Sequence, residues 1–189
     1  MSTIKVNNIE NRTGSSITIG GSSTTSLNLA STITGGTLTN TPAFEAHLSA
    51  DQTSIADNTY TKVNANSEVF DTDSAYDNST NYRFTVPTGK SGKYYVYGSI
   101  SCQLGTSTEL INSYAAIYKN GSRYKENRRD FTANYIEDDS VEVFATLDLS
   151  SGDYIELFGA INSVSSGTSR SFGSESKRTI FGGYKLIGA

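Results

Sequence analysis

Hydrolytic or group-transfer chemistry needs a nucleophile, a base and a group that orients the base. This 189-residue chain offers one cysteine, Cys102, and one histidine, His47, from which to assemble them. Cys102 falls on the apolar side of an alternating run, where a small buried residue is expected and a reactive thiolate is not. His47 alternates with Glu45 and Ser49 on the polar side of another run, which suits a surface residue or a contact between copies of the chain. None of the 19 acidic residues pairs at a spacing that marks a glycosidase. No catalytic residue and no cofactor is assigned from these residues.

Two acidic clusters raise a question of metal. Asp71, Asp73 and Asp77 in FDTDSAYDN could ligate calcium through oxygen, although the glycine and terminal glutamate of a helix-loop-helix calcium site are missing. The alternative is that these carboxylates accept hydrogen bonds from turn amides. Glu137-Asp138-Asp139 poses the same choice in an expected loop. A basic cluster follows the Asn120-Gly121 pair: Arg123, Lys125, Arg128 and Arg129 interleave with Tyr124 and Glu126. Arginine forks and tyrosine faces can grip anionic cell-surface glycan, so Arg123, Tyr124, Arg128 and Arg129 are the surface-binding candidates. Against this stands a solvated strand face with local ion pairs to Glu126 and Asp130.

These groups must be positioned by a chain of two unlike parts. All 20 aromatic residues, 12 Tyr and 8 Phe, lie at or after Phe44. The first 41 residues contain 7 Ser, 10 Thr, 5 Gly and 5 Asn, with only Lys5, Glu10 and Arg12 charged. Such a segment cannot build a core alone. Its apolar residues come in pairs at strand spacing, Ile4 with Val6, Ile17 with Ile19 and Leu27 with Leu29, separated by Asn- and Gly-rich breaks. Two apolar residues per strand need partner strands from elsewhere. Residues 1–41 thus read as an extended β-structured stem ordered by association in a trimer, with a flexible Ser/Thr/Gly linker as the alternative.

Residues 42–189 read as one domain with enough length to bury its own core. Tyr82, Phe84 and Val86 alternate with Arg83 and Thr85 before Pro87 and Gly89 break the run. In GKYYVYGSISCQL, Tyr94, Val96, Gly98, Ile100, Cys102 and Leu104 share one face of a buried central strand. Asn120-Gly121 is a strong hairpin signal. A second hairpin is expected from Val141, Val143, Ala145, Leu147 and Leu149, a turn at Ser151-Gly152, and Ile155, Leu157, Gly159 and Ile161. No amphipathic helix is evident, so the fold class is all-β, a sandwich or jelly roll.

Charge and hydropathy exclude further classes. The net charge is -4, of which the stem contributes +1 and the head -5, the wrong sign for a nucleic-acid binder. No run approaches the roughly 20 apolar residues of a membrane-spanning helix, and the opening MSTIKVNNIENRTG lacks the pattern of a secretory signal. Twelve tyrosines and no tryptophan suggest amphipathic packing at subunit boundaries.

The order of motifs in the head resembles the globular domain of complement component 1q, within the tumour necrosis factor-like jelly-roll superfamily. The matching pieces are PAFEAHLS, NSEVFDT with a nearby YD, YRFTVP followed by SGKYYVYGSI, AAIYKNGSRYKE, LDLSSGDYIELFG and a closing FGGYKLIGA. The resemblance implies a ten-stranded jelly roll that assembles as a trimer on the end of a stalk, without enzymatic activity. It suggests Tyr114, Tyr118 and Tyr184 as trimer contacts. The family's animal members carry a collagen stalk, and this chain has no Gly-X-Y repeat. Its stem instead resembles the Ser/Thr/Gly-rich segments of bacteriophage fibre and virion-surface proteins.

The expectation is a homotrimeric bacteriophage fibre, spike or capsid-surface appendage, made in host cytoplasm and displayed on the virion surface. Its stem would dock on another virion protein and its head on a host cell-surface glycan or protein, with no nucleic acid and no membrane insertion. The alternatives are a capsid decoration protein without a receptor role, and a bacterial adhesin or secreted ligand with the same head.

Overall fold

Alternating apolar residues interrupted by Gly, Asn, Asp and Ser give thirteen strands among the described residues, which are 40–105, 108–133, 135–165 and 167–187 of a computed structural model. The stem pairs Ile4 with Val6, Ile17 with Ile19 and Leu27 with Leu29 lie outside the described residues. The first six strands are β1 (Ala43–His47), β2 (Gln52–Thr53), β3 (Thr61–Lys62), β4 (Ser67–Asp71), β5 (Tyr76–Asp77) and β6 (Arg83–Thr85). Then come the long ones, β7 (Gly92–Gln103), β8 (Leu110–Lys119), β9 (Ser122–Asp130), β10 (Asp138–Leu149) and β11 (Tyr154–Ser163), followed by β12 (Ser171–Gly173) and β13 (Ile180–Lys185). Ten strands were expected; β2, β3 and β5, of two residues each, are the additions, too short to leave a periodicity. The only helical element among the described residues is one 3-10 turn at Glu175–Lys177.

All strand pairings are antiparallel and form two sheets, a sandwich of the jelly-roll kind. Sheet A has β7 at its centre: β10 runs along one edge, and β13 and β12 share the other, β13 leading to β1 and β4 and β12 to β2. Sheet B runs β5-β6-β11-β8-β9, with β3 also on β11. The expected face of β7 is the buried one, with Tyr94, Val96, Ile100, Cys102 and Leu104 all inside. Tyr82 departs from the expected alternation: its φ is 49°, and β6 begins after it at Arg83.

The Asn120-Gly121 hairpin forms as expected between β8 and β9, with φ of 51° and 77° at the two turn residues, the mirror-image geometry that suits strand twist. The second expected hairpin does not form. β10 pairs only with β7 in sheet A, and β11 pairs with β8, β6 and β3 in sheet B. The turn at Ser151-Gly152 therefore carries the chain from one sheet to the other. Alternation reports which side of a strand is buried, and in a sandwich the inner faces of both sheets satisfy it equally.

Gly98 and Gly159 set the approach of the two sheets. A Cβ on Gly98 would lie 2.5 Å from Cδ1 of Leu157, and one on Gly159 would lie 2.7 Å from Cδ1 of Ile100 and 2.8 Å from Cζ of Phe172. At one end of the core, Phe44 stacks on Phe84 (centroids 4.6 Å apart) and on Tyr76 (5.2 Å), and meets Phe181 edge-on (5.1 Å). These rings join β1 and β13 of sheet A to β5 and β6 of sheet B. Aromatic pairs of this kind add about 0.5–1.5 kcal/mol beyond area burial.

Asp153 clasps two turns. Its carboxylate accepts bonds from Asn120 Nδ2 (2.8 Å) and from the Ser150 amide (2.9 Å), and pairs with Lys119 Nζ (3.0 Å), while Asn120 Oδ1 accepts the Tyr154 amide (2.9 Å). The Asn120 amide foremost, then the Ser150 amide and Lys119, hold its pKa down at about 2.

Two outcomes are expected. Gly159→Leu forces bulk into the sheet interface and should lower unfolding free energy by about 1–3 kcal/mol in urea titration. For Asp153, a depressed folded pKa means that its contribution is full above the unfolded carboxyl value of about 3.9. It is lost as pH falls toward 2. The melting-temperature gap between wild type and Asp153→Asn should therefore be open at neutral pH and close on acidification through that window.

Candidate functional site

The acidic candidates are turn acceptors. Asp71 receives the amides of Tyr76 (2.8 Å) and Asp73 (3.3 Å), and Asp73 receives the Thr72 hydroxyl (2.7 Å) and pairs with Lys90 (3.3 Å). Asp77 accepts the amides of Thr80 (2.9 Å), Ser79 (3.1 Å) and Asn81 (3.2 Å), and the Asn81 side-chain amide (2.6 Å). Those bonds, led by the Thr80 amide, hold its pKa well below the usual carboxylate range. In the other cluster, Asp139 is taken by the Ser113 hydroxyl and by Arg129. Among the described residues no three His, Cys, Asp or Glu side chains gather as a metal would require. The calcium candidates Asp71, Asp73 and Asp77 are thus not assembled into a ligand set: turn amides take the oxygens of Asp71 and Asp77, and the Thr72 hydroxyl and Lys90 take those of Asp73.

The basic candidates lie where expected, on β9, whose residues are all exposed. Their charge is largely spoken for. Arg123 pairs with Glu126 (2.6 Å), Arg128 with Asp130 (3.3 Å), and Arg129 reaches across to Asp139 (3.3 Å) and Glu142 (3.0 Å) of β10. Tyr124 is 53% exposed. The ion-paired alternative is the one the geometry favours.

The three tyrosines are not brought together. Tyr114 and Tyr118 stand on the outer face of sheet B, and Tyr184 stands on that of sheet A, as the alternation along β8 and β13 dictates. On sheet B, Tyr118 stacks on Phe158 (4.0 Å), and Tyr60 packs against Tyr114 (5.8 Å) and Tyr118 (6.5 Å). Arg123 lies 4.8 Å over the Tyr60 ring, and the Tyr60 hydroxyl donates to Glu126. Beside them Lys62 meets the buried Glu156 at 2.5 Å. This is a satellite cluster closed by its own partners, so Tyr114 and Tyr118 already have intrachain contacts.

On sheet A the outer face is different. A cross-strand row runs Phe70, Glu45, Gly182, Tyr97, Phe144 over β4, β1, β13, β7 and β10. Phe144 is 61% exposed and Phe70 44%. Tyr97 lies flat over Gly182, where a Cβ would come within 2.5 Å of its Cζ, and donates to Glu45 Oε2 at 2.5 Å. Burial foremost, and then that bond to Glu45, push its pKa upward. In the next row Tyr184 faces Tyr95, with centroids 5.7 Å apart. Phe70, Tyr95, Tyr97 and Phe144 are not among the candidates that motif and composition single out. Their signal was parity: Phe144 is an aromatic residue on the polar side of the β10 alternation.

The structure separates the two candidates for nucleophilic chemistry by burial. Cys102 is fully buried, and its desolvation pushes the thiol pKa far up. His47 is half-buried on β1, with Nδ1 2.8 Å from the Leu48 carbonyl oxygen.

Solved structures with this architecture are complement and tumour necrosis factor heads. The globular domain of zebrafish complement 1qA protein matches with a TM-score of 0.52 at 16% identity, over 77% of this chain and 98% of that one. Eiger TNF from S. frugiperda matches at 0.55 and 15%, over 78% and 93%. Murine APRIL matches at 0.54 and 13%, over 76% and 98%. The fold is a complement 1q/tumour necrosis factor-like jelly roll. No protein-family model matches the chain, and no curated protein matches it in sequence.

The burial of Cys102 predicts that a thiol reagent such as dithionitrobenzoate will leave the native protein unlabelled and will titrate one thiol per chain in denaturant. Prompt labelling of native protein would contradict that placement.

Proposed function

We propose that the chain is a non-enzymatic structural protein of a virion, a homotrimeric bacteriophage fibre, spike or capsid-surface appendage. It is made in host cytoplasm and displayed on the particle. The Ser/Thr-rich stem docks on another virion protein, and the head presents its loops to a host-surface glycan or protein.

The observation that carries this reading is the aromatic row on the outer face of sheet A. An isolated head leaves Phe144 and Phe70 in water, while the one carboxylate of that row, Glu45, is already bonded to Tyr97. Exposed apolar surface of this kind marks an association site. Another copy of the chain is the partner that the sequence resemblance implies, in a contact that closes about a three-fold axis. Tyr184, on the same outer face, belongs to that contact. Tyr114 and Tyr118, on the opposite sheet, do not. Three heads held in this way would hold three stems side by side, which gives each stem the partner strands that its paired apolar residues lack.

Light scattering on the full-length protein should give three times the 20.3 kDa chain mass. Phe144→Glu should return it to single-chain mass with unchanged far-UV circular dichroism. A stable wild-type monomer at micromolar concentration would end the trimer reading. Labelling of intact particles in electron micrographs tests the virion assignment, and particles that carry none of the protein would remove it.

A further inference from the structure

The end of the head remote from Ala43 holds a cavity. Ala43 pairs with Tyr184, which pairs with Tyr95 near the start of β7. Ser171, in the cavity wall, pairs with Gln103 at the far end of β7. At the rise of a strand the two ends are about 27 Å apart. The cavity has a volume of about 400 Å³, within the roughly 300–1,000 Å³ of ligand clefts.

Its lining selects a chemistry. Hydroxyl groups come from Thr53, Ser54, Thr168, Ser169 and Ser171; a hydroxyl can donate and accept, and Thr168, whose proton goes to Glu109, can still accept. The one cation in the wall, Arg170, is itself buried and is held by Asp57 at 3.0 Å, the Ser163 hydroxyl at 3.0 Å and the Ser165 carbonyl at 3.1 Å. Its charge is matched before any ligand arrives, so an anion finds no surplus to bind. Among the described lining residues there is no carboxylate side chain, and the two behind the wall, Asp57 and Glu109, are already engaged with Arg170 and Thr168. Among the described lining residues Ile55 is the one wholly apolar side chain, and methyl and methylene groups beside the hydroxyls make the wall amphipathic, as a sugar's own surface is. The wall is also fixed in advance: the Ile55 amide donates to the Arg170 carbonyl (3.2 Å) and the Thr168 hydroxyl to Glu109 (2.5 Å). Such preorganisation lowers the ordering cost of binding.

We propose that this cavity binds a neutral sugar residue, hydroxyl to hydroxyl. The inference rests on the reading of the head as the host-facing part and moves the contact away from the arginines of β9, which are already ion-paired. It implies a neutral surface polysaccharide as receptor rather than an anionic one.

The test uses ¹⁵N-labelled full-length protein, titrated to millimolar concentration with methyl glycosides of glucose, galactose and mannose, and with N-acetylneuraminate as the anionic comparison. At least one neutral glycoside should shift the amides of Ser54, Gly167, Thr168 and Ser169 saturably, with N-acetylneuraminate about tenfold weaker or more. Gly167→Leu should abolish the response. A Cβ there meets only Ser165 Oγ, at 3.9 Å, among the described residues, so the side chain enters open space. Ser169→Trp, at an exposed position, is the second blocking variant. Absence of a saturable shift with every neutral glycoside, shifts confined to β9, or binding retained in both variants would each overturn the proposal. Particle labelling reports independently: protein found on virions with an unresponsive cavity refutes this inference alone, and protein absent from virions refutes the virion role whatever the cavity binds.

Discussion

The fold turns on the packing of β7 against β11 across the middle of the sandwich. Gly98 makes the hollow that receives Leu157, and Gly159 makes the one that receives Ile100 and Phe172. Small opposite large on both strands lets the sheets approach without a void, and in a close-packed interior that complementarity fixes their separation. Everything else in sheet A hangs from β7, because β10, β12 and β13 all pair with it. Everything central in sheet B hangs from β11, which pairs with β3, β6 and β8. The chain runs from β10 to β11 through a four-residue turn, so the two hubs are joined both by packing and by covalent succession.

Much of this was legible because burial leaves a period-two record. The inner faces of β7, β10 and β11, the Asn-Gly turn and the near-absence of helix were readable from residue types alone, and motif order supplied the fold class. Partner choice left no such record. An inward-facing strand looks the same whether its neighbour in sequence lies beside it or across the core, so the turn at Ser151-Gly152 was read as a hairpin when it is a crossover. The acidic candidates at Asp71, Asp73 and Asp77 show a related limit. Composition gives the oxygens and not their direction, and here turn amides take those of Asp71 and Asp77 first, and Thr72 and Lys90 those of Asp73.

The two strands at the open side of the sandwich, β9 and β10, explain where the basic cluster went. Each pairs on one side only, and an unpaired edge invites further strands. Arg129 bridges from β9 to Asp139 and Glu142 of β10, and Asn127 Nδ2 donates to the Glu142 carbonyl at 2.7 Å. Charged side chains on β9 discourage edge pairing while they close the gap. The arginines that looked like a ligand grip in sequence are therefore explained by edge protection. That account asks nothing of a partner.

Once those charges are assigned, the outer surfaces sort by what remains unpaired. The aromatic residues outside sheet B are closed on themselves: Tyr60 covers Tyr114 and Tyr118, Phe158 stacks beneath, and Arg123 with Glu126 seals the rim. Among the described residues the row outside sheet A has no such lid, and Phe144 and Phe70 end it at both sides. The outward aromatics of the two sheets thus have unequal consequences, because Tyr60 reaches across one face and, among the described residues, no counterpart reaches the other. Among the described residues nothing closes the sheet A face, and Gly182 keeps it flat by letting Tyr97 lie down across it.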